Sequence, residues 1–154
     1  MQVINATNLD YKALNEALRG DDRNFIIQGC CGQRFIAAGM SEKNLTINGI
    51  PGNSLGAYLN NAQITVNANT QDAVGDTMNE GKILIYGNIG DAAGYAMRGG
   101  KIYVKGNAGY RPHQEQLLHC LHRLHIFQKS EELSPVLELT MSGMRLQSAR
   151  LRYQ

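Results

Sequence analysis

Leu45-Thr46-Ile47-Asn48-Gly49, Ile64-Thr65-Val66-Asn67-Ala68, Ile83-Leu84-Ile85-Tyr86-Gly87 and Ile102-Tyr103-Val104-Lys105-Gly106 open four copies of one pattern, each 19 residues after the last. Two further registers keep the same spacing: Gly56, Gly75 and Gly94, and Leu59, Met78 and Met97. A fixed period of this length marks a repeat architecture, in which one copy is too small to bury its own apolar face. Each copy starts with a short alternating run, Leu45 and Ile47 inward and Thr46 and Asn48 outward. Such alternation with β-branched residues predicts a strand buried on one side. Glycines such as Gly49, Gly52, Gly87, Gly90, Gly99, Gly100, Gly106 and Gly109 break the copies into short pieces. Between 45 and 106 no stretch is both long and free enough of glycine or asparagine to favour a helix.

A strand followed by corners, repeated without a helix, is a parallel β-helix. Nineteen residues per coil suits three short faces. Coils should stack about 4.8 Å apart, with equivalent residues one above another. Asn53, Asp72 and Asp91 then form one column, at a corner where side-chain oxygens bond backbone amides. Phe25-Ile26-Ile27-Gln28-Gly29 matches Leu45 to Gly49 at a spacing of 20, and Gly32-Gln33-Arg34-Phe35 matches Gly52-Asn53-Ser54-Leu55. The extra residue is expected in the turn Ser41 to Asn44. About four and a half coils fit between 25 and 111. Residues 1–24 read as an N-terminal capping helix: Thr7 or Asn8 caps it, Tyr11, Leu14 and Leu18 follow its face, and Gly20 ends it. Repeat arrays need such caps, because their ends expose unpaired strand.

At 154 residues and a formal net charge of +2, one domain is expected. The chain has no basic run for nucleic acid and no apolar stretch for a membrane. No signal peptide is recognisable, so a cytoplasmic location is expected. Cys30, Cys31 and Cys120 have neither disulfide nor zinc spacing. Cys30 and Cys31 should face opposite ways beside the Gly29–Gly32 corner.

After Arg111 the composition changes. Sixteen of the 17 glycines lie at or before 109, every Asp and Asn lies before 111, and all four histidines lie after it. The pattern stops within a copy, and His113 stands where the glycine column should continue. Residues 112–154 therefore read as an atypical tail, either the product of a reading-frame shift near codon 111 or a C-terminal cap. Leu117, Leu121 and Leu124 predict a helix from about Glu115 to Lys129, placed on the open end of the last coil. His119, His122 and His125 lie three apart on it, without the spacing of metal ligands.

Gly87-Asn88-Ile89-Gly90-Asp91-Ala92-Ala93-Gly94 has the wrong spacing for a dinucleotide fingerprint, and no helix follows to hold phosphate. Gly99-Gly100-Lys101 lacks the remainder of a phosphate loop. Asp72 and Asp76 are better explained by corner hydrogen bonds than by acid–base chemistry. No catalytic, cofactor-binding or metal-binding residue is expected.

Four stretches resemble the glycine-rich repeat (GXGXG) domain of glutamate synthase. They are Gly32-Gln33-Arg34-Phe35, Pro51-Gly52-Asn53-Ser54-Leu55-Gly56-Ala57, Gln71-Asp72-Ala73-Val74-Gly75-Asp76-Thr77-Met78-Asn79-Glu80-Gly81 and Gly90-Asp91-Ala92-Ala93-Gly94-Tyr95-Ala96-Met97-Arg98-Gly99-Gly100. Leu9-Asp10-Tyr11-Lys12-Ala13-Leu14-Asn15 looks like the start of the separate, archaeal-type subunit. The resemblance covers residues 1–111. It implies a right-handed parallel β-helix that carries no catalytic residue. It also implies a role in glutamate biosynthesis and nitrogen metabolism, bracing an amidotransferase against an FMN-binding synthase. FMN and iron–sulfur clusters would sit in those partner subunits, not here. A related repeat occurs in a subunit of formylmethanofuran dehydrogenase, which gives an alternative assignment. A β-helix enzyme acting on polysaccharide is a rival of another class, but the even coil length leaves no inserted loop for its site. A left-handed acyltransferase helix needs a six-residue period, which 19 does not fit.

Overall fold

A computed structural model describes residues 1–109 and 124–126. The strands are β1 (Gln2–Asn5), β2 (Asn24–Cys31), β3 (Asn44–Ile50), β4 (Ala62–Val66), β5 (Gly81–Ile85), β6 (Lys101–Val104) and β7 (Leu124–Ile126); the helix α1 (Tyr11–Ala17) follows β1. They form one sheet in the order β1 to β7, with every neighbouring pair parallel. Consecutive parallel neighbours with a return path between them make a β-helix, as the 19-residue period requires.

The register is the one the repeat dictates. Leu45 pairs with Ile64, Ile64 with Ile83, and Ile83 with Ile102. Ile47, Val66, Ile85 and Val104 form the second inward column, and all eight side chains are buried. A slip by one residue would turn both columns into solvent, so burial of this face fixes the register. Each fully buried Ile or Val stabilises by roughly 1.5–3 kcal/mol through the area removed from water. Leu59, Met78 and Met97 close the core from the opposite wall, with Ile36, Leu55 and Val74 beside them.

Only one side of each coil is strand. The remainder is a run of tight turns in which the backbone still bonds coil to coil. Gly56, Gly75 and Gly94 each donate to the coil below, to Ile36, Leu55 and Val74 at 2.9, 2.8 and 2.8 Å. These glycines have φ of +65°, +68° and +67° and leave no room for a Cβ: at Gly75 it would stand 2.6 Å from Ile102 Cδ1. At Gly56 and Gly75 the stacked isoleucines fill the space a side chain would need, and at Gly94 the Met97 sulfur does. Non-glycine residues also take left-handed φ in columns, Ser54, Ala73 and Ala92 at 62°, 56° and 56°, and Tyr58, Thr77 and Ala96 at 55°, 50° and 52°.

Five expectations need correction. The extra residue in the earliest repeat is Gly29, not one of Ser41 to Asn44. Gln28 pairs with Asn48 and Cys30 with Gly49, which leaves Gly29 bulged. Downstream of the bulge the spacing is already 19, so Phe35 matches Ser54 rather than Leu55. Phe35 N donates to Asn53 O just as Ser54 N donates to Asp72 O, and Phe35 is exposed while Ile36 and Leu55 are buried.

Residues 1–24 hold a strand as well as the helix. Gln2 pairs with Phe25 and Ile4 with Ile27, so the array begins one strand earlier than its glycine pattern. The helix is capped by Asp10, not by Thr7 or Asn8. The Asp10 carboxylate accepts the N–H of Ala13 at 2.7 Å, and Leu18 caps the C-terminal end. Leu14 and Leu18 are buried against the first coil. The Asn15 side-chain oxygen accepts the N–H of Ala37 at 3.0 Å and so ties the cap to the array.

In the tail, Leu124–Ile126 is strand rather than part of a helix over 115–129. It lies where that helix was expected, on the last coil, and Ile102, Tyr103 and Val104 pair with Leu124, His125 and Ile126. The run of leucines at helical spacing is local, whereas the open edge of β6 offers backbone partners to any extended segment that reaches it. The rest of the expected helix lies outside the described residues, as do His119 and His122.

Candidate functional site

The side chains that could carry chemistry on the coils are mostly engaged with neighbouring coils. Asn53 Oδ1 accepts the N–H of Asp72 at 3.2 Å, and Asp72 Oδ1 accepts that of Asp91 at 2.9 Å. A second ladder runs beside it. Asn69 Oδ1 accepts the N–H of Asn88, and Asn88 Oδ1 that of Asn107, each at 2.8 Å. The first column is the one the sequence predicts, but the second is absent from that reading. Its signal was available as Asn69, Asn88 and Asn107 at the repeat spacing. Asp76 Oδ1 accepts the hydroxyl of Thr77 at 2.9 Å. Asp72 and Asp76 therefore satisfy corner hydrogen bonds.

The glycine-rich segments are turns of the coil. Gly94 belongs to the buried glycine column, and Gly90 and Gly109 each lie close against the coil below. Gly100 packs against Met78, and Lys101 begins β6. Cys30 is buried and Cys31 exposed, because the bulge at Gly29 shifts the alternation set by Phe25 and Ile27 by one residue. Burial pushes the Cys30 thiol up to about 11, partly offset by its hydrogen bonding with Gln33. Among the described residues no group of three His, Cys, Asp or Glu side chains is placed to hold a metal. Nor is any helix among them long and apolar enough to cross a membrane.

A shallow cleft of about 320 Å³ lies between α1 and the first coil, lined by Tyr11, Lys12, Asn15, Arg19, Phe35 and Met40 among others. Its polar side chains have partners already. The Asn15 amide donates to Tyr11 O at 2.8 Å while its oxygen serves Ala37, and Arg19 pairs with Glu16 at 3.7 Å. Lys12 stands 5.9 Å from the centre of the Tyr11 ring.

The outer face of the sheet is built from the residues that alternate with the core. On the early coils its flanks are amides bonded to one another. Asn44 donates to Asn24 at 2.9 Å and Asn67 to Asn48 at 2.8 Å. On β5 and β6 these columns become Lys82 and Lys101 on one flank and Tyr86 and Lys105 on the other, with Leu84 and Tyr103 between.

The model of the GXGXG motif family matches residues 14–114, about two thirds of the chain. The chain belongs to the GXGXG motif family. This motif is found in the large subunit of glutamate synthase. The matched residues span the glycine columns and the coils described above. One curated relative, an uncharacterized protein of Methanocaldococcus jannaschii, is 42% identical over 65 residues, which cover 37% of this chain and 25% of the relative. The match thus spans about a quarter of that relative's length. No solved structure matches the chain.

Proposed function

We propose that the chain is a non-catalytic scaffold of a glutamate synthase, as a separate β-helix subunit or as a fragment of one. In this reading it braces the amidotransferase against the FMN-binding synthase, and flavin and iron–sulfur chemistry belong to those partners. Membership of the GXGXG motif family carries the reading. It is supported by the consumption of the corner carboxylates and amides in bonds between coils, which suits a rigid spacer better than a reaction centre. Cytoplasmic residence goes with this assignment.

Coexpression with the amidotransferase and synthase subunits of the same genome tests it. The tagged chain should retain both, and removing it should lower glutamine-dependent glutamate formation while leaving ammonia release by the amidotransferase intact. A purified chain that is yellow, or that releases ammonia from glutamine by itself, contradicts the scaffold reading.

A further inference from the structure

We propose that the outer face of β5 and β6 is a docking site for an acidic segment of a partner protein. The inference rests on the change of character along that face. Through β4 the flanking columns are amides, and Asn24 and Asn44, and Asn48 and Asn67, bond to one another. From β5 onward they are lysines and a tyrosine, around an apolar centre. Tyr86 is 50% exposed, and Leu84 and Tyr103 are half-buried. Lys82 Nζ stands 5.1 Å from the centre of the Tyr103 ring, and Lys105 Nζ stands 5.4 Å from that of Tyr86. Lys101 is paired beside Lys82 across the two strands.

Two ammonium groups are thus held over rings on one face, with Lys101 in register beside Lys82. Among the described residues none of the three pairs with a carboxylate. Ion pairs elsewhere join Arg19 to Glu16 and Arg23 to Glu42. Glu80 precedes Lys82 by two residues, at the corner, and makes no ion pair with these lysines. Ammonium groups resting on ring faces keep a geometry at little entropic cost, and they remain open to an anion on the other side. Like charges on neighbouring strands are unfavourable until a partner neutralises them. Exposed tyrosine beside apolar surface and ringed by charge is the composition of an interface.

Charge complementarity selects the occupant. The matching surface carries carboxylates spaced to meet the lysines and an apolar side chain to sit on Leu84 and Tyr86. A nucleic acid would call for a longer basic stripe than two strands supply, and the chain carries a net charge of only +2. The inference draws on the scaffold reading only for the existence of a partner.

The test uses the full-length chain and a fluorescein-labelled peptide that repeats glutamate, leucine, glutamate and serine, read by fluorescence anisotropy. Saturable binding that weakens with salt is expected. The triple variant Lys82→Glu, Lys101→Glu, Lys105→Glu should bind at least about tenfold more weakly, and Tyr86→Ala should weaken binding at unchanged salt dependence. Lys12→Glu, on α1, should bind as the parent does. Unchanged melting of each variant by circular dichroism shows that the fold survives. If the triple variant does not fold, Lys105→Glu and Tyr86→Ala decide alone. Equal binding by the folded variants overturns the proposal. So does tighter binding of labelled oligothymidylate than of the peptide, or a self-associated chain that the variants dissociate. Failure of peptide binding removes this surface, whereas failure to retain the synthase subunits removes the glutamate synthase assignment.

Discussion

The carboxylate of Asp72 accepts the backbone N–H of Asp91 at 2.9 Å, from the equivalent position one coil earlier. Asp72 N in turn donates to Asn53, so the corner is a ladder in which each side chain satisfies the next residue's backbone. An amide oxygen does the same work as a carboxylate oxygen in the column. Asp72→Asn should therefore change stability by less than about 0.5 kcal/mol, while Asp72→Ala should cost about 0.5–1.5 kcal/mol, since water can reach the freed N–H. Urea unfolding of the two variants measures the difference, and equal midpoints would mean the ladder is ornamental.

The glycine column separates two effects of a methyl group. A Cβ at Gly75 would stand 2.6 Å from Ile102 Cδ1 and 3.5 Å from Ile83 Cδ1, at φ +68°. A Cβ at Gly32, φ +79°, would meet nothing within 4 Å. Gly32→Ala should cost about 1 kcal/mol from the left-handed backbone alone. Gly75→Ala adds overpacking, which brings a further cost of about 1–3 kcal/mol. Thermal melts should rank Gly75→Ala clearly below Gly32→Ala.

Ile83 is buried between Ile64 and Ile102 in the central column. Ile83→Ala should cost about 2–5 kcal/mol from the cavity and the lost contacts. Ile83→Asp places a charge with no partner in the same dry column and should leave the chain unfolded at room temperature. Far-UV circular dichroism distinguishes these outcomes, and an aspartate variant that melts with its parent is incompatible with a stacked core.

The strands and the stacking were legible from sequence because the repeat states the same fact several times over. Ile64, Ile83 and Ile102 corroborate one another, so no single residue had to be read correctly. The same logic made the glycine column visible before its crowding against isoleucine was known. Where a feature occurs once, the reading went astray. Gly29 is a single bulge, and Gly29-Cys30-Cys31-Gly32 looks enough like a corner to hide it. β1 lacks the glycines of later copies, so Val3 and Ile4 carried too little pattern to be recognised as strand. The helical leucines around 117–124 were a local signal that an unpaired edge on β6 overrides at Leu124–Ile126. The lysine–tyrosine face was present in Lys82, Leu84, Tyr86 and Lys101, Tyr103, Lys105. Outward positions of a strand advertise nothing about fold, however, and their meaning depends on which neighbours stack beside them.

The two adjacent cysteines should differ sharply in reactivity. Cys31 is exposed, whereas Cys30 is buried and its thiol is pushed up from the ordinary 9.0 to about 11, chiefly by loss of solvent. Since the thiolate is the reacting form, iodoacetamide at pH 8 should label Cys31 in the folded chain and Cys30 only when the array opens. The same shift has a consequence for stability. The folded state keeps the Cys30 proton to a higher pH than the unfolded chain does. Its contribution is therefore fully present below pH 9 and is lost as the pH climbs toward 11. Cys30→Ala removes this group while leaving a small apolar side chain in its place. Urea midpoints of the parent should fall between pH 9 and 11 more steeply than those of Cys30→Ala, and Cys31→Ala should track the parent. Parallel profiles for all three chains, or equal labelling of both cysteines in the native state, would place Cys30 in contact with water and undo the assignment of β2 as the inward-facing strand at that position.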